Sequence, residues 1–290
     1  MSISKKRGFT LVELLVVISI IALLMSILMP SLQKAKSQAR KILCMSRLRN
    51  WSSYFAMYQN ENDGQFLSGM TYITDGDYVN EPKSASYSWL VLLRPYFAPE
   101  MKGDPRDDES VYKVCCCPEA DKPWFDLDSN GNKVPGPGDV GTPGCAWGKF
   151  YNEFCDHPLG AFGSYSINHS ASGPYRELST EANKEYFIIS QTKYNLNNIP
   201  LLTGGTMHMF RNTVGIEYIP DYDGQALVGG HGNVILNRHD GYICGVFADM
   251  TVRPIGLKEV VRLKWNPNYD IDYAYNWSER PWLNNFRDYD

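Results

Sequence analysis

The apolar residues of this chain are crowded toward one end. Between Phe9 and Met29 the stretch FTLVELLVVISIIALLMSILM holds 21 residues, of which only Thr10, Glu13, Ser19 and Ser26 are polar. About 20 apolar residues carry a helix across the hydrocarbon core of a bilayer. The rest of the chain has no comparable run, so the pattern predicts one span. A cleaved secretory signal has a shorter apolar core, about 7–15 residues, followed by a small-x-small site. Here the run leads into LMPSLQKAK, which has no such site. Pro30 closes the run; inside a helix it removes one hydrogen bond and bends the axis. Apolar residues then recur at Leu32, Ala35, Ala39, Ile42, Met45, Leu48, Trp51, Phe55 and Tyr58, in steps of three or four. That spacing predicts an amphipathic helix, stopped by the Asn and Gly of NENDGQF. Phe9 to about Gln59 therefore reads as one helical element of roughly 75 Å, half in lipid and half against a soluble domain.

Beyond residue 60 the pattern changes to short apolar and aromatic runs between Gly, Pro, Asn and Asp clusters. Strands are predicted at Tyr186 to Ser190, Asn233 to Leu236, Tyr242 to Ala248 and Thr251 to Pro254. SYSWLVLLRPYF reads as a short helix or buried segment, and LKEVVRLKW as a short helix near the C-terminus. Residues 126–148, rich in Gly and Pro, read as a long surface loop. There is no internal repeat. Strands gathered after a long helix predict an α+β fold, with the N-terminal helix packed on an antiparallel sheet. The organisation expected is a leader at 1–8, a membrane helix at 9–29, an amphipathic helix at 30–60 and a globular domain at 61–290.

Charge narrows the partners. Over 290 residues the formal net charge is -4 and 43% of residues are hydrophobic, a globular balance. An acidic chain of this kind lacks the basic surface that nucleic acid requires. Three basic residues, Lys5, Lys6 and Arg7, precede the span, and six follow it between residues 31 and 50. Counted alone, that would place the C-terminal side inside the cell.

Glu13 is the anomaly, because a carboxylate within lipid is costly. No Lys or Arg follows it in the span. A cationic partner would arise if the chain were cut between Gly8 and Phe9, since Glu13 then lies four residues after a new ammonium. In a parallel bundle of such helices each glutamate can pair with a neighbour's amine. KKRGFTLVELLVVISIIALL resembles the N-terminus of type IV prepilins and type II secretion pseudopilins: a short basic leader, Gly, then Phe-Thr-Leu-x-Glu and an apolar helix. The resemblance implies cleavage after Gly8 by a membrane prepilin peptidase, methylation of Phe9 by the same enzyme, and an assembly role for Glu13. It also implies a cytoplasmic leader, an inner-membrane helix and an exported domain, against the basic count. Loss of Lys5, Lys6 and Arg7 would take the formal charge from -4 to -7. The implied partners are the peptidase, other pseudopilins or copies of this chain, and inner-membrane lipid.

A weaker resemblance runs through the soluble region. CMSRLRNWSSYFAMYQNENDGQF, CCCPEA, SYSIN and RHDGYICGVFADMTVRPI are similar to segments of large pseudopilin-like proteins of the planctomycete type. The last resembles that group's histidine, nine residues, then Asp-Gly. His239 and Asp249 keep the spacing, but Met250 replaces the glycine. If that glycine serves a turn with positive φ, Met250 is expected to distort it. The His239–Asp249 pair is expected to fix a hairpin turn by hydrogen bonds rather than to catalyse.

Seven cysteines are present, and an exported domain favours disulfides. Cys44 with Cys117 is one expected bridge, pinning the helix to the domain, and Cys145 with Cys155 a second. Zinc is disfavoured, because its sites use cysteines spaced by two to four residues and adjacent ones rarely share an ion. Asp126, Asp128 and Asn130, followed by Gly131, match the first half of a calcium loop. Its closing glutamate is replaced by Pro137, so a full EF-hand is excluded and Asp139 would have to close a looser site. Calcium is the single cofactor candidate; otherwise none is expected. The aromatic C-terminus, from Trp265 onward, can cover the sheet or form a binding platform. The sequence therefore predicts a non-enzymatic, pseudopilin-like structural subunit that assembles into a type II pseudopilus or type IV pilus-like fibre. The rivals are an anchored glycan-binding or adhesion module that does not assemble, and an anchored hydrolase built on His239 and Asp249.

Overall fold

The computed structural model describes residues 10–64, 66–67, 70–73, 85–99, 114–120, 122–123, 125–127, 133–136, 145–146, 163–171, 194–206, 209–210, 219–221, 231, 234–273 and 275–288. Helix α1 runs unbroken from Leu11 to Glu61 with Pro30 inside it. The chain divides into two compact units, residues 1–40 and 41–290.

In the first unit the large apolar side chains from Leu11 to Met29 are exposed. This is a helix long and apolar enough to cross a membrane. Its polar residues are satisfied within the helix, as hydrocarbon demands. Ser19 Oγ donates to the Val16 carbonyl at 2.8 Å and Ser26 Oγ to that of Leu23 at 2.7 Å.

In the second unit the remainder of α1 is a docked helix. Cys44, Leu48, Trp51 and Phe55, spaced by four, three and four, are buried. The expected stripe is correct from Leu48 onward. Upstream it is led by Cys44 instead of Ile42, which is 60% exposed, and Leu32 is exposed as well. Trp51 is the centre of the docking surface. Its ring meets Trp89 and Phe97, each at 5.1 Å between centroids, and its Nε1 donates to the Val114 carbonyl at 2.8 Å. Those partners come from α2 (Trp89–Phe97) and from the turn at 114–120.

Eleven short strands occur among the described residues: β1 (Met70–Ile73), β2 (Ala85–Ser88), β3 (Lys122–Pro123), β4 (Phe125–Leu127), β5 (Lys133–Pro135), β6 (Cys145–Ala146), β7 (Tyr165–Asn168), β8 (Pro200–Gly204), β9 (Met209–Phe210), β10 (Tyr242–Phe247) and β11 (Val252–Gly256). The main sheet has the order β11-β10-β8-β7-β9. Its first four strands are antiparallel, and β9 joins β7 in parallel at the edge. The α+β expectation holds.

Strand β10 shows why the sheet is buried on both faces. Successive side chains alternate sides. Cys44, Leu48, Trp51 and Phe55 of α1 share a core with Cys244 and Val246 of β10, Leu202 of β8, and Tyr165 and Ile167 of β7. Ile243 and Phe247 face the opposite core, formed by Ile255, Leu257, Val260, Val261, Leu263, Trp265, Tyr269 and Leu283. The C-terminal aromatics thus cover the sheet: Tyr275, Trp277, Trp282 and Phe286 pack against that second core. Gly245 sits where a side chain has no room, since a Cβ there would lie 2.7 Å from Ile255 Cδ1.

Several expectations need correction. Val234 to Leu236 form turns and irregular backbone instead of a strand, with Val234 and Ile235 amides both donating to the His231 carbonyl. LKEVVRLKW contains a single 3-10 turn, Val260–Arg262. The supposed loop at 126–148 contains a strand pair, β4 with β5, in which Asp126 faces Val134. Tyr186 to Ser190 lies outside the described residues.

Candidate functional site

The first site is the start of α1. Thr10 and Glu13 close a reciprocal cap. The Thr10 backbone N–H and hydroxyl both donate to Glu13 Oε2 at 2.8 Å, and the Glu13 N–H donates back to Thr10 Oγ1 at 3.2 Å. Thr-x-x-Glu before an apolar run is a capping signature legible in the sequence, and reasoning from charge alone passed over it. It gives Glu13 a partner within its own helix. Gly8 and Phe9 lie outside the described residues.

The second site lies wholly within the second unit, where α1, the turn at 114–120 and the turn before β10 converge. Cys44 Sγ, Cys117 Sγ and a His239 ring nitrogen lie within 4.8 Å of one another, and all three residues are buried. His239 Nε2 is 3.2 Å from Cys117 Sγ. Cys44 Sγ is 3.5 Å from the Tyr165 hydroxyl and shares its core with Cys244 on β10. Each element is tied in place by the backbone. Arg47 of α1 donates to the Cys116 carbonyl at 2.6 Å. The Cys117 amide donates to Ser164 Oγ at 2.6 Å, and Ala120 N–H to the Cys117 carbonyl at 2.9 Å. His239 N–H donates to the Tyr242 carbonyl at 3.1 Å. The neighbouring Arg238 guanidinium is buried against the carbonyls of Ser164, at 2.8 Å, and Gly205, at 3.0 Å.

Burial sets the chemistry of the thiols. It pushes Cys44 and Cys117 well above the ordinary thiol range, and Cys115 up to about 12. Without a cation beside them these sulfurs are protonated at neutral pH. Cys44, Cys115, Cys117 and Cys244 are free thiols. The expected Cys44–Cys117 neighbours are therefore brought together, but as thiols. Cys145 opens β6, and Cys155 lies outside the described residues.

His239 and Asp249 do not form the expected pair. His239 turns inward to Cys117, whereas Asp249 is exposed and accepts from the Thr251 N–H at 3.0 Å and hydroxyl at 2.6 Å. They flank opposite ends of β10, whose six residues hold their ends apart at about 3.3 Å per residue. The turn at Met250 is not distorted either. Met250 takes the left-handed conformation at φ 65°, while its N–H donates to the Phe247 carbonyl at 2.8 Å and Phe247 N–H to that of Thr251 at 2.9 Å. The side chain accepts a backbone penalty of about 1–2 kcal/mol and packs against the core beneath α1. Asp126 lies in β4; Asp128, Asn130 and Asp139 of the calcium candidate lie outside the described residues.

Tyr165, Ser164, Arg238 and Cys244 escaped the sequence reading as site residues. SYSIN and CCCPEA were noticed as segments, but only the fold places Ser164 and Tyr165 on Cys117 and Cys44.

Comparison with known proteins bears on the first site. The prokaryotic N-terminal methylation motif matches residues 3–29. The chain is 40% identical over 82 residues to the type IV wide pilus major component PilA4 of Thermus thermophilus, a match covering 28% of this chain and 62% of that relative. The chain thus spans somewhat under two thirds of the relative's length. No solved structure matches it significantly. The N-terminal region is thus similar to that of type IV prepilins.

Proposed function

We propose that this chain is a structural subunit of a pilus-like fibre. It is anchored in the inner membrane by residues 9–29, cut after Gly8, methylated on Phe9, and assembled through α1. The observation that carries the reading is the methylation motif over residues 3–29, continuous with a helix whose apolar side chains from Leu11 to Met29 are exposed. Likeness to a type IV pilus component favours a type IV fibre over a secretion pseudopilus. The peptidase acts on the leader from the cytoplasmic side, and the second unit is exported. Partners are further copies of this chain or related pilins, which cover the apolar helix as lipid did.

Peptide mapping of the protein taken from its native membrane tests the reading. The expected chain begins at N-methylated Phe9, and Gly8→Leu blocks that cut. A chain still beginning at Met1 would replace the fibre subunit with a fixed anchor. A start after residue 30 would make the apolar run an ordinary signal sequence.

A further inference from the structure

We propose that Cys44, Cys117 and His239 form a buried zinc site that fastens α1 to the exported domain. The ligand atoms lie within 4.8 Å of one another. Donors 2.0–2.3 Å from a tetrahedral zinc ion stand about 3.4–3.8 Å apart, so a rotamer adjustment of a few tenths of an ångström per side chain brings them onto one centre. The set is soft, two sulfurs and an imidazole, as zinc prefers.

Charge favours zinc over a monovalent ion. Two thiolates and a neutral imidazole cancel the charge of Zn²⁺, and a buried site is least costly when neutral. Cu⁺ in the same set would leave a buried negative charge. Binding releases two protons, one from each thiol, and the two S–H bonds are replaced by two Zn–S bonds with no change in oxidation state. The Tyr165 hydroxyl, 3.5 Å from Cys44 Sγ, is placed to donate to the thiolate so formed. No disulfide holds Cys44 or Cys117, and ligation would protect both sulfurs from oxidation in an exported domain.

The three ligands come from a helix, a turn and a strand entrance that are distant in sequence. An ion at their meeting point would cross-link residue 44 to both other segments and stabilise the folded chain. This inference is independent of whether the chain forms fibres.

The test is elemental analysis of the full-length, detergent-solubilised protein, purified without added metal, then after incubation with Zn²⁺ and with Co²⁺. The expected results are one zinc per chain and, with cobalt, the visible spectrum of a tetrahedral thiolate-ligated ion. Cys117→Ser and His239→Gln each lose the bound metal while other near-ultraviolet signals persist. If those variants do not fold, the wild-type cobalt spectrum decides alone, and absence of a thiolate-to-cobalt band overturns the site. So does zinc retained at full stoichiometry in a folded Cys117→Ser protein, or a Cys44–Cys117 disulfide in material from the native membrane.

Discussion

His231 carries the clearest single-residue consequence. It is fully buried, its ring edge-on to Trp265 at 6.0 Å and to Tyr269 at 5.6 Å. Its Nε2 lies 3.3 Å from the Tyr269 hydroxyl. Burial drives its pKa down to about 3, against about 6.5 in the unfolded chain. The folded state therefore refuses a proton that the unfolded state accepts. Stability from this residue is complete above pH 6.5 and is lost as the pH falls from there toward 3. Between pH 6.5 and 4.5 the wild type should lose about 2–3 kcal/mol through this residue. His231→Gln, which cannot titrate, should be less stable at neutral pH but have a flatter profile over that window, measured by denaturant unfolding in detergent. Equal slopes would mean the ring is protonated in the fold. Nothing in the sequence around His231 signals this, because burial of a lone histidine is decided by the aromatic C-terminal segment that closes over it. The Thr10–Glu13 cap is the opposite case, written in four consecutive residues and needing only local geometry. Between these lies Met250, where the need for a positive φ was legible but not the ability of a methionine to meet it while packing.

At the scale of elements, Trp51 is the largest of the buried side chains that seat the second half of α1. Its ring is completely buried and touches α2, and its indole N–H reaches the turn at 114–120. Trp51→Ala should cost about 3–5 kcal/mol, the range for emptying a buried aromatic site. It should expose residues 41–61 to proteolysis while leaving the membrane half of the helix unaffected. A loss below about 1 kcal/mol, the scale of a surface substitution, would show that this helix is not seated on the sheet. Helix α1 was legible because a 21-residue apolar run, followed by a spacing of three and four from Leu32 to Tyr58, outweighs any single misfit, including Pro30. The hairpin of β10 and β11 was legible for the matching reason, a dense apolar run with a turn after it. Val234 to Leu236 misled because a buried apolar run looks alike in a strand and in a coil. The Cys/His cluster could not be read at all from spacing. Three adjacent cysteines suggested poor chelation, yet Cys117 alone of them is drawn to His239, and the remaining sulfur comes from a helix 73 residues earlier.

For the whole molecule, if the chain is cut after Gly8 and assembles as proposed, Glu13 serves two states. Before assembly it needs a partner inside its own helix, and the Thr10 amide and hydroxyl provide it at 2.8 Å. These bonds offset part of the cost of placing a carboxylate near lipid. After cleavage at Gly8 a neighbour's Phe9 amine can add a charge-assisted bond, stronger than a neutral one in a low-dielectric bundle. Substitution separates the roles. Gln at position 13 can still accept from the Thr10 N–H but carries no charge, whereas Ala can do neither. Glu13→Gln should therefore be processed and anchored normally and retain the start of α1, yet assemble poorly. Glu13→Ala should also be cut after Gly8, assemble poorly, and fray at the helix start, a loss of about 1 kcal/mol. Processing is read by N-terminal mapping, and assembly by the share of subunit recovered in sheared fibres. If Glu13→Gln assembles as the wild type does, the cap is sufficient and charge pairing between subunits has no part in holding the helices together.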